Sequence, residues 1–315
     1  MALDRLIESI VKLQNPTVAG LDPVLDYVPG FIKEKAFTQY GETLEGASAA
    51  ILAFNKGLID ALCGVVPAVK PQCANYELYG WHGVKALHDT INYTKEKGMI
   101  VITDGKRNDI GSTMQAYAAA HLGTVTVGER TFVPFGGDAL TVNPYLGSDG
   151  INPLLDICRA QDKGIFVLVK TSNPSSGELQ NQIFEGGETL YGTVGQLCEQ
   201  WGESLPGKYG YSGVGAVVGA TYPAQLAELR RDLPHTFFLV PGYGAQGGGA
   251  KDVAAAFDQK GLGAVVNASR SIMTAWKKNS VPETEYAKAA MEEAKRMRDE
   301  IIGEIGAVTL IETNG

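Results

Sequence analysis

Eight short apolar segments recur along the chain, and a longer stretch of mixed composition separates each from the next. The segments are rich in Val, Ile, Leu or Phe and lack strict polar alternation, which is typical of strands buried on both faces of a parallel sheet. The predicted strands are residues 17–22, 65–70, 99–104, 139–143, 165–170, 214–219, 236–241 and 263–267. The pattern therefore predicts eight buried parallel strands.

Between these segments, apolar residues recur at the spacing of one helix face. Ile51, Leu58 and Leu62 lie one or two turns apart, so they would bury one side of a helix. Residues 76–97 contain a second apolar stripe, and Gly98 follows it where a left-handed cap residue is favoured. Strand and helix alternate eight times, which favours a (β/α)₈ barrel over a doubly wound sheet. No Gly-x-Gly-x-x-Gly motif follows the first strand, as a dinucleotide-binding fold would require.

We therefore predict an α/β protein that forms a single (β/α)₈ TIM-barrel domain over residues 1–315. The connection at about 173–212 is long and mostly polar for a barrel loop, so we expect a functional segment or an elaboration with its own helix. The charged residues after Lys277 predict a C-terminal helix that packs outside or beneath the barrel.

Composition and charge restrict the class of partner. The 315 residues have a net charge of −8 and are 44% hydrophobic, as in a globular protein with a sizeable core. The acidic balance gives no support to a nucleic-acid or anionic-membrane partner. The longest uncharged stretch, residues 209–227, contains four glycines and a proline and is too broken for a membrane span. With no signal-peptide core and four widely spaced cysteines, we expect a cytoplasmic protein with reduced thiols.

Charged residues end several predicted strands. Active sites of (β/α)₈ barrels lie at the carboxyl ends of the strands, where Asp22, Lys70, Asp104 and Lys170 would meet. Any one of them could form a structural ion pair at the rim, but four desolvated charges together are typical of a functional site. We interpret Lys170, which has no carboxylate near it in sequence, as part of a structural ion pair rather than as a Schiff-base nucleophile.

The motif DGKRNDIGST begins at Asp104, after the third predicted strand. Alternation along an extended strand would turn Asp104 and Lys106 toward one pocket, beside Lys70 of the neighbouring strand. If a helix begins near Asp109, then Asp109 and Thr113 share one face. We expect the two lysines and two carboxylates to lie within mutual reach, each charge keeping its neighbours ionised. A lysine so held is suited to protonating a developing carbanion.

A glycine-rich loop, GYGAQGGG, begins at Gly242 after the seventh strand, and Arg270 follows the eighth. Loops seven and eight of such barrels commonly bind phosphate. Glycines permit close approach of the backbone and would let the loop close over a ligand, while a guanidinium offers a planar fork to phosphate oxygens. The sequence therefore predicts a phosphate site at this end of the pocket.

The motif DGKRNDIGST, with AVKPQ before it and VPGYGAQGG and NASRSI after it, resembles the orotidine 5′-monophosphate decarboxylases, in particular the longer bacterial branch often called type 2. The likeness extends from Asp22 to Arg270. It implies decarboxylation of orotidine 5′-monophosphate to UMP, the last step of de novo pyrimidine synthesis, without a metal or organic cofactor. It also implies direct loss of CO₂ to leave a carbanion-like centre at C6, which Lys106 protonates.

The resemblance also implies roles for individual residues. The implied site residues are Lys70, Asp104, Lys106 and Asp109 for catalysis, and Asp22, Thr113, Ser172, Gln246, Gly247 and Arg270 for substrate binding. Among these, Asp22 would bind the ribose and Ser172 the base, while Gln246 and Arg270 would grip the phosphate. In that family the second aspartate and the nearby threonine reach into the partner subunit's site, so the resemblance implies a homodimer.

Two other hypotheses fit parts of the sequence. Sugar-phosphate enzymes of the same superfamily, such as keto-sugar-phosphate decarboxylases and hexulose-phosphate synthases, share D-x-K-x-x-D but use Mg²⁺, with a carboxylate where Lys70 stands. An ammonium at this position would repel the metal, so Lys70 argues against them. A non-catalytic nucleotide-binding barrel would bind UMP without turnover, but it would gain nothing from four desolvated charges.

Several further residues have weaker signals. Gln72, Tyr76 and Glu77 follow Lys70 and could line the pocket or stabilise its loop, and Asn143 could line the base site. The four histidines show no metal-ligand spacing, so we predict no metal site.

Overall fold

The computed structural model describes residues 1–244, 248–278 and 280–310, and these contain a closed parallel barrel. The strands are β1 (Thr17–Leu21), β2 (Ala68–Pro71), β3 (Ile100–Arg107), β4 (Val125–Val127), β5 (Arg130–Phe132), β6 (Ala139–Val142), β7 (Gly164–Lys170), β8 (Val214–Val218), β9 (Phe238–Val240) and β10 (Ala264–Ala268). Eight of these described strands pair in parallel around the barrel in the order β1-β2-β3-β6-β7-β8-β9-β10, and β10 closes onto β1. The predicted (β/α)₈ fold is confirmed, with a strand in each of the eight predicted segments.

Apart from the first of them, the helices follow barrel strands and cover the barrel from outside. They are α1 (Ala2–Leu13), α2 (Gly30–Tyr40), α3 (Leu44–Leu62), α4 (Cys73–Glu77), α5 (Gly80–Glu96), α6 (Gly111–His121), α7 (Ser148–Gln161), α8 (Gly177–Gln180), α9 (Leu190–Gly202), α10 (Pro223–Asp232), α11 (Ala250–Ala254), α12 (Arg270–Met273), α13 (Ala275–Lys278) and α14 (Tyr286–Ile305). Helix α3 begins where the Thr43 hydroxyl caps the Gly46 N–H at 3.1 Å. Its predicted stripe is buried, and Gly98 beyond α5 has the expected left-handed φ of 73°.

The interior of the barrel is closed at its amino-terminal end by α1. Leu3, Leu6, Ile7 and Ile10 of this helix are buried in one apolar cluster with residues that begin strands, such as Ala68. The helix thus replaces water beneath the barrel with packed side chains, which contribute roughly 1.5–3 kcal/mol each. This closure leaves the carboxyl ends of the strands as the open face.

Residues 173–212, a long connection in the sequence, contain α8 and α9. Helix α9 packs against β7 and β8, so it takes the ordinary place of the helix between the fifth and sixth barrel strands. Helix α14 packs outside the barrel against α3, and the Tyr286 ring lies 5.2 Å from that of Phe54.

An antiparallel hairpin formed by β4 and β5 was not predicted from the sequence. The two strands are joined at Gly128 and Glu129, where Gly128 has a φ of 61°, as tight hairpin turns require. Both strands are exposed. None of the helices in the described part of the chain is long and apolar enough to cross a membrane. The four cysteines are free, with only Cys63 exposed.

Candidate active site

A cavity of about 460 Å³ opens at the carboxyl ends of the barrel strands. It is lined by Lys70, Asp104, Lys106, Thr141, Leu168, Thr171, Ser172, Asn173, Gln180, Val217, Leu239 and Pro241. These residues form three kinds of surface: a charged one from β2, β3 and β6, an apolar one from β7, β8 and β9, and a hydroxyl and amide one from the loop after β7. Apolar walls with a few convergent polar and charged groups are typical of small-molecule sites.

Asp104 is the centre of the charged surface. Its Oδ2 accepts a hydrogen bond from Nζ of Lys70, and its Oδ1 accepts one from Nζ of Lys106 at 2.6 Å. Lys70 is buried on β2, with 5% of its side chain exposed, whereas 45% of the Lys106 side chain is exposed. The Asp104 carboxylate therefore bridges two ammonium groups, the buried one of Lys70 and the more exposed one of Lys106.

Burial and charge act in opposite directions on this group. Burial favours the neutral form of Asp104, but the attraction of Lys70 and Lys106 lowers its pKa well below the ordinary value. Burial likewise disfavours the charged form of Lys70, but the carboxylates of Asp104 and Asp22 raise its pKa above the ordinary value. Both groups are therefore charged at neutral pH.

Lys106 does not reach the cavity by simple strand alternation. The pairing of β3 with β6 shifts register between Thr103 and Arg107, and Lys106 has a left-handed φ of 46°. Non-glycine residues rarely adopt this conformation, and bulges of this type redirect side chains. The structure does bring Asp104 and Lys106 to one cavity, but through an irregular strand rather than the extended one expected from the sequence.

Thr141 of β6, which was not predicted from the sequence as a site residue, stabilises this irregular segment. Its hydroxyl donates to Oδ1 of Asp104 at 2.8 Å and accepts the backbone N–H of Lys106 at 3.0 Å. The only sequence signal was one hydroxyl in the otherwise apolar run ALTV. A single buried side chain thus satisfies both the carboxylate and the left-handed residue beside it.

Asp109 and Thr113 lie away from the cavity of their own chain. The Asp109 carboxylate accepts the N–H of Ile110 at 2.8 Å. Thr113 lies on the exposed first turn of α6, which begins at Gly111, beyond Asp109. Asp109 is not among the residues that line the cavity, and it forms no ion pair within the described ranges. One chain brings together three of the four.

The loop after β7 forms the hydroxyl and amide surface. The Gln180 side chain holds Thr171 at two points, accepting its N–H at 3.0 Å and donating to its hydroxyl at 2.8 Å. The hydroxyl of Thr221 donates to the Ser172 carbonyl at 3.2 Å. A Cβ on Gly219 would lie 2.8 Å from that of Ser172, so a side chain there would displace the loop. Ser172 lines the cavity, as expected from the sequence.

Asp22 follows β1 and lies near the charged surface. Its carboxylate contributes to the raised pKa of Lys70. Its Oδ1 is buried and has no hydrogen-bond partner among the described residues. Unpartnered buried acceptors are rare in folded proteins because they lose their hydration. Asp22 is not among the residues that line the cavity.

The predicted phosphate end is described in part. Arg270 lies at the exposed start of α12, after β10. Gly242 and Gly244, after β9, have φ values of 100° and 72°, which suit glycine alone. Gln246 and Gly247 lie outside the described residues.

The interpretation of Lys170 as part of an ion pair is wrong. Within the described residues its Nζ contacts neutral groups: it donates to Asn181 Oδ1 at 2.9 Å and Ser176 Oγ at 3.1 Å, and lies over the Tyr222 ring. These partners come from later segments, so no local sequence pattern could show them.

Gln72, Tyr76 and Glu77, which follow Lys70 in the sequence, do not line the cavity, and neither does Asn143. Tyr76 is fully buried and its hydroxyl accepts a hydrogen bond from Asn55, while Glu77 pairs with Arg107. Asn143 caps its own turn through the N–H of Tyr145 at 3.0 Å. Across the described ranges, no group of three or more His, Cys, Asp or Glu side chains is placed to hold a metal ion.

Comparison with known proteins agrees with this arrangement. The profile of the Orotidine 5′-phosphate decarboxylase / HUMPS family matches residues 54–302. A Rhodopirellula baltica protein named orotidine 5′-phosphate decarboxylase is 47% identical, covering 87% of this chain and 88% of its own, and a Caldicellulosiruptor bescii protein of the same name is 40% identical, covering 95% and 97%. The structure of Leishmania donovani OMP decarboxylase has a TM-score of 0.69 at 30% identity and covers 95% of this chain and 98% of its own. The chain is therefore an enzyme that belongs to the orotidine 5′-phosphate decarboxylase / HUMPS family.

Proposed function

We propose that the protein decarboxylates orotidine 5′-monophosphate to UMP in pyrimidine biosynthesis, without a metal or organic cofactor. The observation that carries this proposal is the contact of Lys70, Asp104 and Lys106 in the wall of the cavity. The names of the relatives support the same activity.

The charged residues have distinct roles in the proposed reaction. The C6 carboxylate of the substrate would lie beside Lys106, near the Asp104 carboxylate. Repulsion between the two anions raises the energy of the bound substrate. The C6–carboxyl bond breaks, CO₂ leaves, and the bonding electron pair stays at C6.

Lys106 then completes the reaction. Its ammonium stabilises the negative charge that develops at C6 and donates a proton there. The resulting neutral amine regains a proton from water. Lys70 keeps Asp104 ionised throughout, because its ammonium is buried against that carboxylate.

The remainder of the cavity supports recognition of the nucleotide. Ser172 and Gln180 offer donors and acceptors to the edge of a pyrimidine, and Leu168 and Val217 offer apolar contact to its ring. Asp22, whose carboxylate lies near Lys70, would accept a ribose hydroxyl. We assign the phosphate to Arg270, with Gln246 and Gly247, which follow β9 in the sequence. Binding energy from this remote group would help to hold the reacting atoms in place.

We also propose a homodimer in which Asp109 and Thr113 complete the partner's site. Large apolar side chains are exposed at Ile110, next to Asp109, and in the segment before α7, whose first turn contacts Asp109: Ile110 is 52% exposed, Tyr145 78% and Leu146 46%. Monomeric proteins rarely leave such side chains grouped in water. Association of two copies would cover them and bring the fourth charge toward the other three.

A direct assay tests the proposed activity against the Mg²⁺-dependent alternative. We expect purified protein to release CO₂ from orotidine 5′-monophosphate at the same rate with EDTA as with Mg²⁺. A rate that disappears with EDTA and returns with Mg²⁺ would contradict the proposal. Turnover of a keto-sugar phosphate with Mg²⁺, and none of the nucleotide, would favour the other branch of the family. UMP binding without turnover of either would indicate a non-catalytic barrel.

A further inference from the structure

Lys170, the last residue of β7, is a buried ammonium with no described carboxylate beside it. It is 1% exposed. Its Nζ donates to Ser176 Oγ at 3.1 Å and Asn181 Oδ1 at 2.9 Å, and lies 4.6 Å from the centre of the Tyr222 ring. Burial lowers the pKa of this ammonium. A buried charge held only by neutral groups is costly, so its contacts require an explanation beyond filling space.

Those contacts lie behind the loop that forms the hydroxyl and amide surface of the cavity. Ser176 and Asn181 belong to the same short segment as Gln180, which faces the cavity and holds Thr171. Lys170 therefore holds the back of this segment while its front presents Ser172 and Gln180 to the ligand. The ring of Tyr222, from the loop after β8, stabilises the ammonium through a cation–π contact.

We propose that Lys170 is a positioning residue that fixes the base-recognition edge of the site. This inference rests on the proposed function, because the edge is assigned to the pyrimidine. Among the described residues, the hydrogen bonds of Lys170 go to Ser176 and Asn181 and not to Asp22 or Arg270, which are assigned to the ribose and the phosphate. Its loss should therefore weaken recognition of the base and leave recognition of ribose phosphate intact.

The test compares two ligands, UMP and ribose 5-phosphate. Both contain the ribose phosphate, but only UMP has a base. Lys170→Met keeps an unbranched apolar side chain as far as Cε and removes the ammonium with its three donors. We expect the Kd for UMP to rise roughly tenfold, the usual effect of losing hydrogen bonds to a charged group, and the Kd for ribose 5-phosphate to change by less than about twofold. In turnover, KM for orotidine 5′-monophosphate should rise more than kcat falls.

Lys163→Met is the matched control. Lys163 is also a buried lysine, but it precedes β7 at the opposite end of the same strand, where it donates to the Gly137 carbonyl at 2.8 Å. Its replacement should leave both Kd values unchanged. Asn181→Ala, which removes one exposed acceptor, provides a milder variant should Lys170→Met fail to fold. It should raise the Kd for UMP by roughly threefold and spare ribose 5-phosphate.

Equal weakening of both ligands would show that Lys170 merely stabilises the fold, and unchanged binding of both would show that the loop does not need it. Either result overturns the inference. Failure of the proposed function is seen separately, because the wild-type protein would then bind ligands without releasing CO₂ from orotidine 5′-monophosphate.

Discussion

The Thr141 hydroxyl donates a hydrogen bond to Oδ1 of Asp104, the same oxygen that accepts a hydrogen bond from the Lys106 ammonium. The two residues lie on neighbouring strands, β6 and β3, and the contact holds the central carboxylate where β3 loses its regular register. The charged surface therefore depends on a neutral side chain as well as on its three charges.

Thr141→Val should impair catalysis without unfolding the barrel. Valine has nearly the same shape but no hydroxyl. Oδ1 of Asp104 would therefore lose one of its hydrogen bonds, and the backbone N–H of Lys106 would lose its acceptor. We expect kcat/KM for orotidine 5′-monophosphate to fall roughly tenfold. Thr126→Val on the exposed hairpin is the control and should have no effect. An unchanged kcat/KM in Thr141→Val would show that this hydroxyl is dispensable.

Mixing two inactive variants tests the proposed shared site. Lys106→Ala and Asp109→Ala should each be inactive alone. If Asp109 acts in the partner's site, half of the randomly mixed dimers contain both variants, and each of these has one intact site. Activity should then recover to about a quarter of the wild-type value. Sites contained in single subunits predict no recovery, and a monomeric mass in solution would contradict the dimer directly.

The dependence of stability on pH should show a contribution from His121. This side chain is 4% exposed and stacks on Phe135, and burial, with a smaller effect of Arg107, lowers its pKa to about 4 from the ordinary 6.5. Between these values the unfolded chain binds the proton and the folded chain does not. The free energy of unfolding should therefore fall as the pH drops from 6.5 to 4, by on the order of 3 kcal/mol from this group.

His121→Phe, which cannot titrate, isolates that contribution. Urea unfolding of both proteins at pH 7 and pH 4.5 gives the comparison. The variant should lose less stability on acidification than the wild type. Equal losses would show that His121 is not kept neutral by burial.

The barrel was predictable because each buried strand is a continuous apolar run, which leaves a signal in one stretch of sequence. The β4–β5 hairpin lacked this signal, since both of its strands are short and exposed. Helix α9 was not distinguished from an elaborated loop, because the long connection around it is polar and contains Gly186 and Gly187.

Within the site, Asp104 and Lys70 were predictable because charged residues seldom end buried strands without a reason. The left-handed Lys106 and the support from Thr141 depend on pairing between β3 and β6, which spacing along one strand cannot show. Lys170 was misinterpreted for a related reason: an ammonium indicates a carboxylate partner, but the fold supplies a hydroxyl, an amide and an aromatic ring.

The most direct test of the charged surface is the rate of CO₂ release from orotidine 5′-monophosphate by Lys106→Ala, measured alongside its affinity for UMP. Lys85→Ala, at an exposed lysine paired with Asp89 on α5, is the control. We predict that Lys106→Ala loses turnover by about 10²–10⁴-fold or more, that its Kd for UMP stays within about threefold of wild type, and that Lys85→Ala matches the wild type in both. A Lys106→Ala protein that still releases CO₂ at close to the wild-type rate would contradict the account.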